Sequence, residues 1–188
     1  MEIKPLNSCS LLFRLRDVQT RNEAFDELVE LYSERLYWHL RRFLVIDKDT
    51  EDALQETFVT AFLSIESFRS DATISLRSWM YKIATTQALK VLRTKRRGIF
   101  MTLDDCSRTL LSDVDTQSDP SADEIEIKLQ KAVLKLPTKQ RIAFNLRYFD
   151  ALPFEEISKI TGSSVGTLKT NYHYAVEKIK KEVSIVEI

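Results

Sequence analysis

Apolar positions recur along most of the chain at intervals of three and four. Phe25, Leu28, Val29, Leu31, Tyr32, Leu36, Leu40, Phe43 and Leu44 fall near the i, i+3, i+4, i+7 spacing of an amphipathic helix. The pattern breaks around Val45 to Asp47 and resumes in Ala53, Leu54, Thr57, Phe58, Ala61, Phe62 and Ile65. This predicts a second helix capped by Asp49 or Thr50, with Asp52 three residues after Asp49. A polar stretch, Ser67 to Ser75, precedes a third helix predicted from about Leu76 to Arg97, with Trp79, Met80, Ile83, Ala84, Ala88, Val91 and Leu92 turned inward. From residue 98 to about 121 the period is lost, and Gly98, Pro120 and many Ser, Thr and Asp residues compose a linker. Beyond it the spacing predicts a helix to Leu136 stopped by Pro137, another over Thr138 to Tyr148, a short one after Pro153 and a longer one from about Ser164 to Val183.

The last two helices carry a sharper signal. Phe154, Ile157 and Ile160, then Gly162, then Val165, Leu168, Tyr172, Ala175, Val176 and Ile179 have the spacing of a helix-turn-helix. Packing Ile157 and Ile160 on Val165 and Leu168 turns Ser164, Gly166, Thr167, Lys169, Thr170, Asn171, His173 and Tyr174 outward, where the second helix can enter a major groove. A helical hairpin with a solvated polar face has the same spacing.

Composition narrows the class. Three glycines and four prolines leave few turns for a sheet, and 44% hydrophobic residues suffice for a folded core. The expected fold is all-α: two small helical domains, residues 1–97 and 124–188, joined by an acidic flexible linker over 98–123, the C-terminal domain being the helix-turn-helix. No apolar run approaches the roughly 20 residues that span a bilayer, and Glu2 and Pro5 do not open a signal peptide. A cytoplasmic protein without membrane insertion is expected. Cys9, Cys106, His39 and His173 lack ligand spacing and read as ordinary residues, so no metal or cofactor is expected. No nucleophile-base constellation and no phosphate-cradling glycine loop occur, so no enzymatic chemistry is expected either.

The 28 basic side chains balance the 28 acidic ones, which by itself argues against a nucleic-acid binder. Their order along the chain changes that. Residues 72–103 hold Arg77, Lys82, Lys90, Arg93, Lys95, Arg96 and Arg97 and no acid, whereas 104–126 hold eight acids against Arg108 alone. From 127 to 181 eleven bases face four acids. Two basic bodies flank an acidic connector, and such asymmetry is functional information.

Three segments in order then carry a family resemblance. DTEDALQETFVTAF at 49–62, ESFRSDATISLRSWMYKIATTQALKVLRTKRR at 66–97 and LPTKQRIAFNLRYFDALPFEEISKITGSSVGTLKTNYHYAVEKIKK at 136–181 resemble, in turn, the polymerase-binding helix, the minus-ten segment and the minus-thirty-five domain of extracytoplasmic-function sigma factors of the sigma-70 class. The resemblance implies a factor that docks on core RNA polymerase, at the clamp helices of the largest subunit and at the flap, and directs initiation at promoter DNA, duplex and melted. Docking falls on Asp49, Asp52, Gln55, Glu56 and Val59, in a stretch with five acids and no base that suits a basic partner; a solvated helix face has the same composition. Minus-ten contact and strand capture fall on Phe68, Arg69, Ser70, Asp71, Arg77, Lys82, Lys90, Arg93, Lys95, Arg96 and Arg97, with Trp79 read as core. The recognition helix departs from the several arginines common in the family: Asn171, Tyr172, His173 and Tyr174 stand there, so readout leans on Asn171, His173, Tyr174 and Lys169. A separate anti-sigma protein is the implied regulator, and the connector is implied to run along a basic polymerase channel. An ordinary helix-turn-helix repressor or activator is the rival, distinguished by binding duplex sites without polymerase.

Overall fold

The computed structural model of the chain describes residues 8–68, 75–98 and 124–184. Arg69, Ser70, Asp71 and the acidic connector from 99 to 123 lie outside the described residues. The described residues are mostly helical. In the first half these are α1 (Ser8–Arg16), α2 (Arg21–Leu44), α3 (Asp47–Ser64) and α4 (Leu76–Gly98). In the second they are α5 (Glu124–Leu134), α6 (Thr138–Phe144), α7 (Phe154–Thr161) and α8 (Val165–Ser184).

α2, α3 and α4 pack on one another because each offers an inward stripe. Leu28, Leu36, Leu40, Phe43 and Leu44 from α2 meet Ala53 and Ala61 from α3 and Met80, Ala84, Ala88 and Leu92 from α4. Alanines at Ala53 and Ala61 on α3 and at Ala84 and Ala88 on α4 let those two helices approach closely. Helix α1, which the periodicity did not reveal, adds Leu11, Leu12 and Leu15 to the same core. Val45 turns the chain from α2 into α3 at φ 67° and ψ −44°. The Ile46 N–H donates to the Leu44 carbonyl at 2.8 Å, closing a strained three-residue turn that a β-branched residue seldom adopts. Burial of the Val45 side chain, 1% exposed, holds it there.

The expected caps of α3 are not used. The helix starts at Asp47, with Ile46 rather than Asp49 or Thr50 at the cap position, so Thr50 lies inside it and donates its hydroxyl to the Ile46 carbonyl at 2.8 Å. Asp49 instead pairs with Lys95 on α4.

In the second half, α5 ends at Leu134, short of Pro137, and the segment expected to be one helix over Thr138 to Tyr148 changes pitch. After Phe144 it widens into a π-helical turn, Asn145–Phe149, which sets Leu146 inward and brings Asp150 to the first half of the molecule. Ala132, Val133, Leu136, Phe144, Ala175 and Ile179 make a cluster of their own, with Tyr172 stacked on Phe144. The remaining buried residues of this half, among them Leu146, Leu152, Ile157, Ile160 and Leu168, join the core of the first half without a break. The two halves are therefore packed together, along α2 against the π-turn and α4 against α7.

Candidate functional site

The exposed faces come from three helices. On α3, burying Ala53, Thr57 and Ala61 and resting Phe58 edge-on against Phe25 leaves Asp52, Gln55, Glu56 and Val59 in solvent. Asp49 is the docking candidate set apart, half-buried beside Lys95. The face also continues past its expected end. Phe62, expected inward, touches Phe25 at 5.0 Å between ring centroids yet is 36% exposed, and Leu63 is 76% exposed. Leu63 follows Val59 by four positions, so the helical period itself carried this signal. The result is a stripe that is acidic at one end and apolar at the other, a composition suited to docking rather than to solvation alone.

Helix α4 presents Lys82, Lys90 and Arg93, spaced eight and three residues apart and so on one face; all three are exposed. Its backbone continues through Arg96 and Arg97. Two other residues of the expected minus-ten set are turned elsewhere. Lys95 is paired with Asp49, and Arg77 donates to the Asp150 carbonyl while its guanidinium lies 5.8 Å from the Tyr81 ring. Phe68 is 6% exposed, stacked on Trp79 with ring centroids 4.5 Å apart, and its carbonyl accepts from Arg16. The acidic face of α3 and the basic face of α4 share one groove of about 290 Å³, lined by Asp52, Glu56, Gln87, Lys90 and Lys95 among others.

The helix-turn-helix is built as its spacing predicts. Gly162 takes φ 72°, where a side chain would be strained, and its N–H returns to the Ser158 carbonyl at 2.8 Å to end α7. Ser164 then accepts the Thr167 N–H on its hydroxyl at 3.2 Å, the capping bond that starts α8. With Ile157, Ile160 and Leu168 buried, Ser164, Gly166, Thr167, Lys169, Thr170, His173 and Tyr174 are exposed and Asn171 is half-buried. Tyr172 faces inward between Phe144 and Phe154. A Cβ on Gly166 would come no nearer than 4.0 Å to any neighbour, the Ser164 hydroxyl, so its missing side chain opens the exposed first turn rather than relieving a clash.

Sequence spacing did not reveal the buried polar seam between the halves. His39 and Asp150 are both buried and bonded through Nδ1 and Oδ2 at 2.6 Å. Burial is the first reason the Tyr81 phenol beside them is pushed up to about 12, with the Asp150 charge adding to it. Burial likewise lowers the Arg42 guanidinium from its ordinary value, and Asp150 opposes that. Among the described residues no helix is long and apolar enough to cross a membrane, and no group of three His, Cys, Asp or Glu side chains forms a metal site.

Known proteins share this arrangement. Residues 28–98 match the family model of sigma-70 region 2 and residues 126–179 that of sigma-70 region 4. The chain is 29% identical over 179 residues to the ECF RNA polymerase sigma factor SigW of Bacillus subtilis (strain 168), covering 90% of this chain and 95% of that one. It is 30% identical over 173 residues to the ECF RNA polymerase sigma-E factor of Haemophilus influenzae, covering 88% of this chain and 90% of that one. Among solved structures it resembles the sigma factor RpoE of Bartonella quintana, crystallised with the anti-sigma factor NepR, with TM-score 0.67, 19% identity and coverage of 87% and 98%. Region 2 on the α2–α4 bundle, region 4 on the helix-turn-helix and relatives that align over nearly their whole length show that the chain belongs to the ECF RNA polymerase sigma factors.

Proposed function

We propose that α3 carries the chain onto core RNA polymerase, that α4 contacts the minus-ten element and that α8 reads the minus-thirty-five element. As a sigma factor the chain directs promoter-specific initiation with core polymerase. The observation that carries the division of labour is that the acidic-apolar face of α3, the basic face of α4 and the polar first turns of α8 are all exposed, while each helix buries an apolar stripe on its other side. Asp52, Gln55, Glu56 and Val59, extended by Phe62 and Leu63, meet a basic and partly apolar partner surface, for which the clamp helices of the largest subunit are the candidate; region 4 meets the flap. Lys82, Lys90 and Arg93, with Arg96 and Arg97, reach phosphates of the minus-ten duplex. Capture of an unstacked base is assigned to Arg69, Ser70 and Asp71, which follow Phe68 in the sequence. On α8, Asn171 offers the bidentate amide that suits adenine, with Lys169, Thr170, His173 and Tyr174 beside it. Phosphodiester chemistry belongs to the polymerase, so the factor itself is not an enzyme and acts in the cytoplasm. A separate anti-sigma protein restrains it, as NepR accompanies the Bartonella factor.

Reconstituted run-off transcription tests this reading. Core polymerase with the chain is expected to initiate at a promoter carrying both elements, and Lys90→Ala with Arg93→Ala to reduce that initiation at least tenfold. Run-off no greater than from core alone would overturn it.

A further inference from the structure

Helices α3 and α4 run antiparallel: Asp49, early in α3, pairs with Lys95 late in α4, and Thr60, further along α3, meets Gln87, earlier in α4. Their buried small residues, Ala53 and Ala61 against Ala84 and Ala88, permit close approach but raise only shallow ridges. Shallow ridges resist sliding of one helix along the other weakly. Beside them the helices leave the groove of about 290 Å³, where Asp52 and Glu56 of α3 and Gln87, Lys90 and Thr94 of α4 line a cavity instead of interlocking. Axial register therefore falls to the polar ties. The ion pair is the looser one, because the Lys95 ammonium rides on a flexible four-carbon stem and its side chain is 33% exposed. The other is short and directed: Gln87 Nε2 donates to the Thr60 hydroxyl at 3.0 Å between two half-buried side chains. A single directed polar contact of this kind specifies register between packed helices.

Register matters here because of what α4 carries. Lys90 follows Gln87 by three residues, Arg93 follows by six and Lys82 precedes it by five, so an axial shift of α4 displaces all three exposed bases together. Helices slide past one another by about 1–2 Å at interfaces, and hydrogen bonds to phosphate hold only over about 2.7–3.2 Å. A shift of that size breaks them. We infer that Gln87, bonded to Thr60, is a positioning residue for promoter binding: it sets the register of α4 on α3, so that a polymerase holding α3 presents Lys82, Lys90 and Arg93 to their phosphates together. The inference rests on the reading of α3 as the docking helix and α4 as the minus-ten helix. Gln87 acts through the bases and contacts neither partner itself.

Salt titration of the polymerase–factor–promoter complex tests this, because Gln87→Leu and Thr60→Val remove the tie from either helix at nearly constant volume without changing any charge. Each is expected to keep wild-type helical content by circular dichroism and to bind core polymerase within about twofold of wild type. Each is also expected to weaken promoter binding at least about fivefold and to make the slope of log affinity against log salt shallower by about 0.9 or more, the signature of a lost phosphate contact. Thr60→Ser keeps the hydroxyl and is expected to retain wild-type affinity and slope. Unchanged slopes in both Gln87→Leu and Thr60→Val overturn the inference, and so does a weaker affinity at unchanged slope, which would make Gln87 a direct DNA contact. Loss in Thr60→Ser equal to that in Thr60→Val, or a matching loss of core binding, overturns it as well. An unchanged slope in Lys90→Ala with Arg93→Ala would instead overturn the minus-ten reading of α4, and this inference with it.

Discussion

Tyr81 shows how much a single side chain at the seam can register. It is 2% exposed, with the His39 ring edge-on at 5.0 Å, and burial first, then the Asp150 charge, push its phenol up to about 12. The folded chain keeps this proton at pH values where the unfolded chain, with a phenol near 10, has lost it. Stability from this group is thus complete below about pH 10 and falls as pH rises from about 10 to 12, by on the order of 2–3 kcal/mol. Tyr81→Phe keeps the ring and removes the proton, so urea unfolding at pH 9 and pH 11.5 is expected to show a smaller alkaline loss in the variant; an equal loss in both would refute this assignment. The partner that matters here was not legible in the sequence. His39 read as an ordinary residue because local spacing reports neighbours on one helix, and Asp150 lies 111 positions away. The residues facing solvent on α8 were legible, because Ile157, Ile160 and Leu168 fixed the buried side and left the opposite side by subtraction.

Among the elements, the long helices were readable because each spans several turns of consistent period, which averages out single exceptions. Helix α1 was missed for the converse reason: it has nine residues, and Phe13, 76% exposed, interrupts the Leu11, Leu12, Leu15 stripe. The α3 caps were missed because Thr50 found its acceptor on the Ile46 carbonyl, a bond available only once the turn at Val45 had placed that group. The π-turn after Phe144 has no signature in apolar spacing, since it shifts the phase by one residue and leaves the count of buried positions unchanged. Helix α3 is the element whose surface best separates docking from solvation. Asp52 and Glu56 are exposed and four residues apart, so reversing both costs the helix little: like charges at that spacing already repel in the native chain. Asp52→Lys with Glu56→Lys is expected to leave the thermal midpoint within a few degrees while weakening core polymerase binding at least a hundredfold in a fluorescence titration. Leu63→Ala, at the apolar end, is expected to weaken it about tenfold. Undiminished binding by the double variant would move docking away from α3.

For the whole molecule, the balance of 28 bases and 28 acids is a sum over surfaces of opposite sign. Exposed acids lie on α3 and exposed bases on α4, and the pairing of Asp49 with Lys95 joins the two surfaces at their edge. Two bodies were foreseeable from composition, because the period lapses between residues 98 and 121; their continuous core was not, because apolar positions on α7 and the π-turn look alike whether they meet their own half or the other. The same segregation makes the promoter complex sensitive to salt although the chain is neutral. Each phosphate neutralised by α4 or α8 releases condensed counterions and adds about 0.9 to the slope of log affinity against log salt. Lys90→Ala with Arg93→Ala removes two exposed bases on one face, so the slope for the polymerase–factor–promoter complex is expected to become shallower by about 1.8 across 50 to 200 mM salt. Lys95→Ala is expected to change it by less, since Asp49 already neutralises that ammonium. Filter-binding isotherms on one promoter at several salt concentrations measure both slopes, and an unchanged slope in the double variant would remove α4 from the set of phosphate-contacting elements.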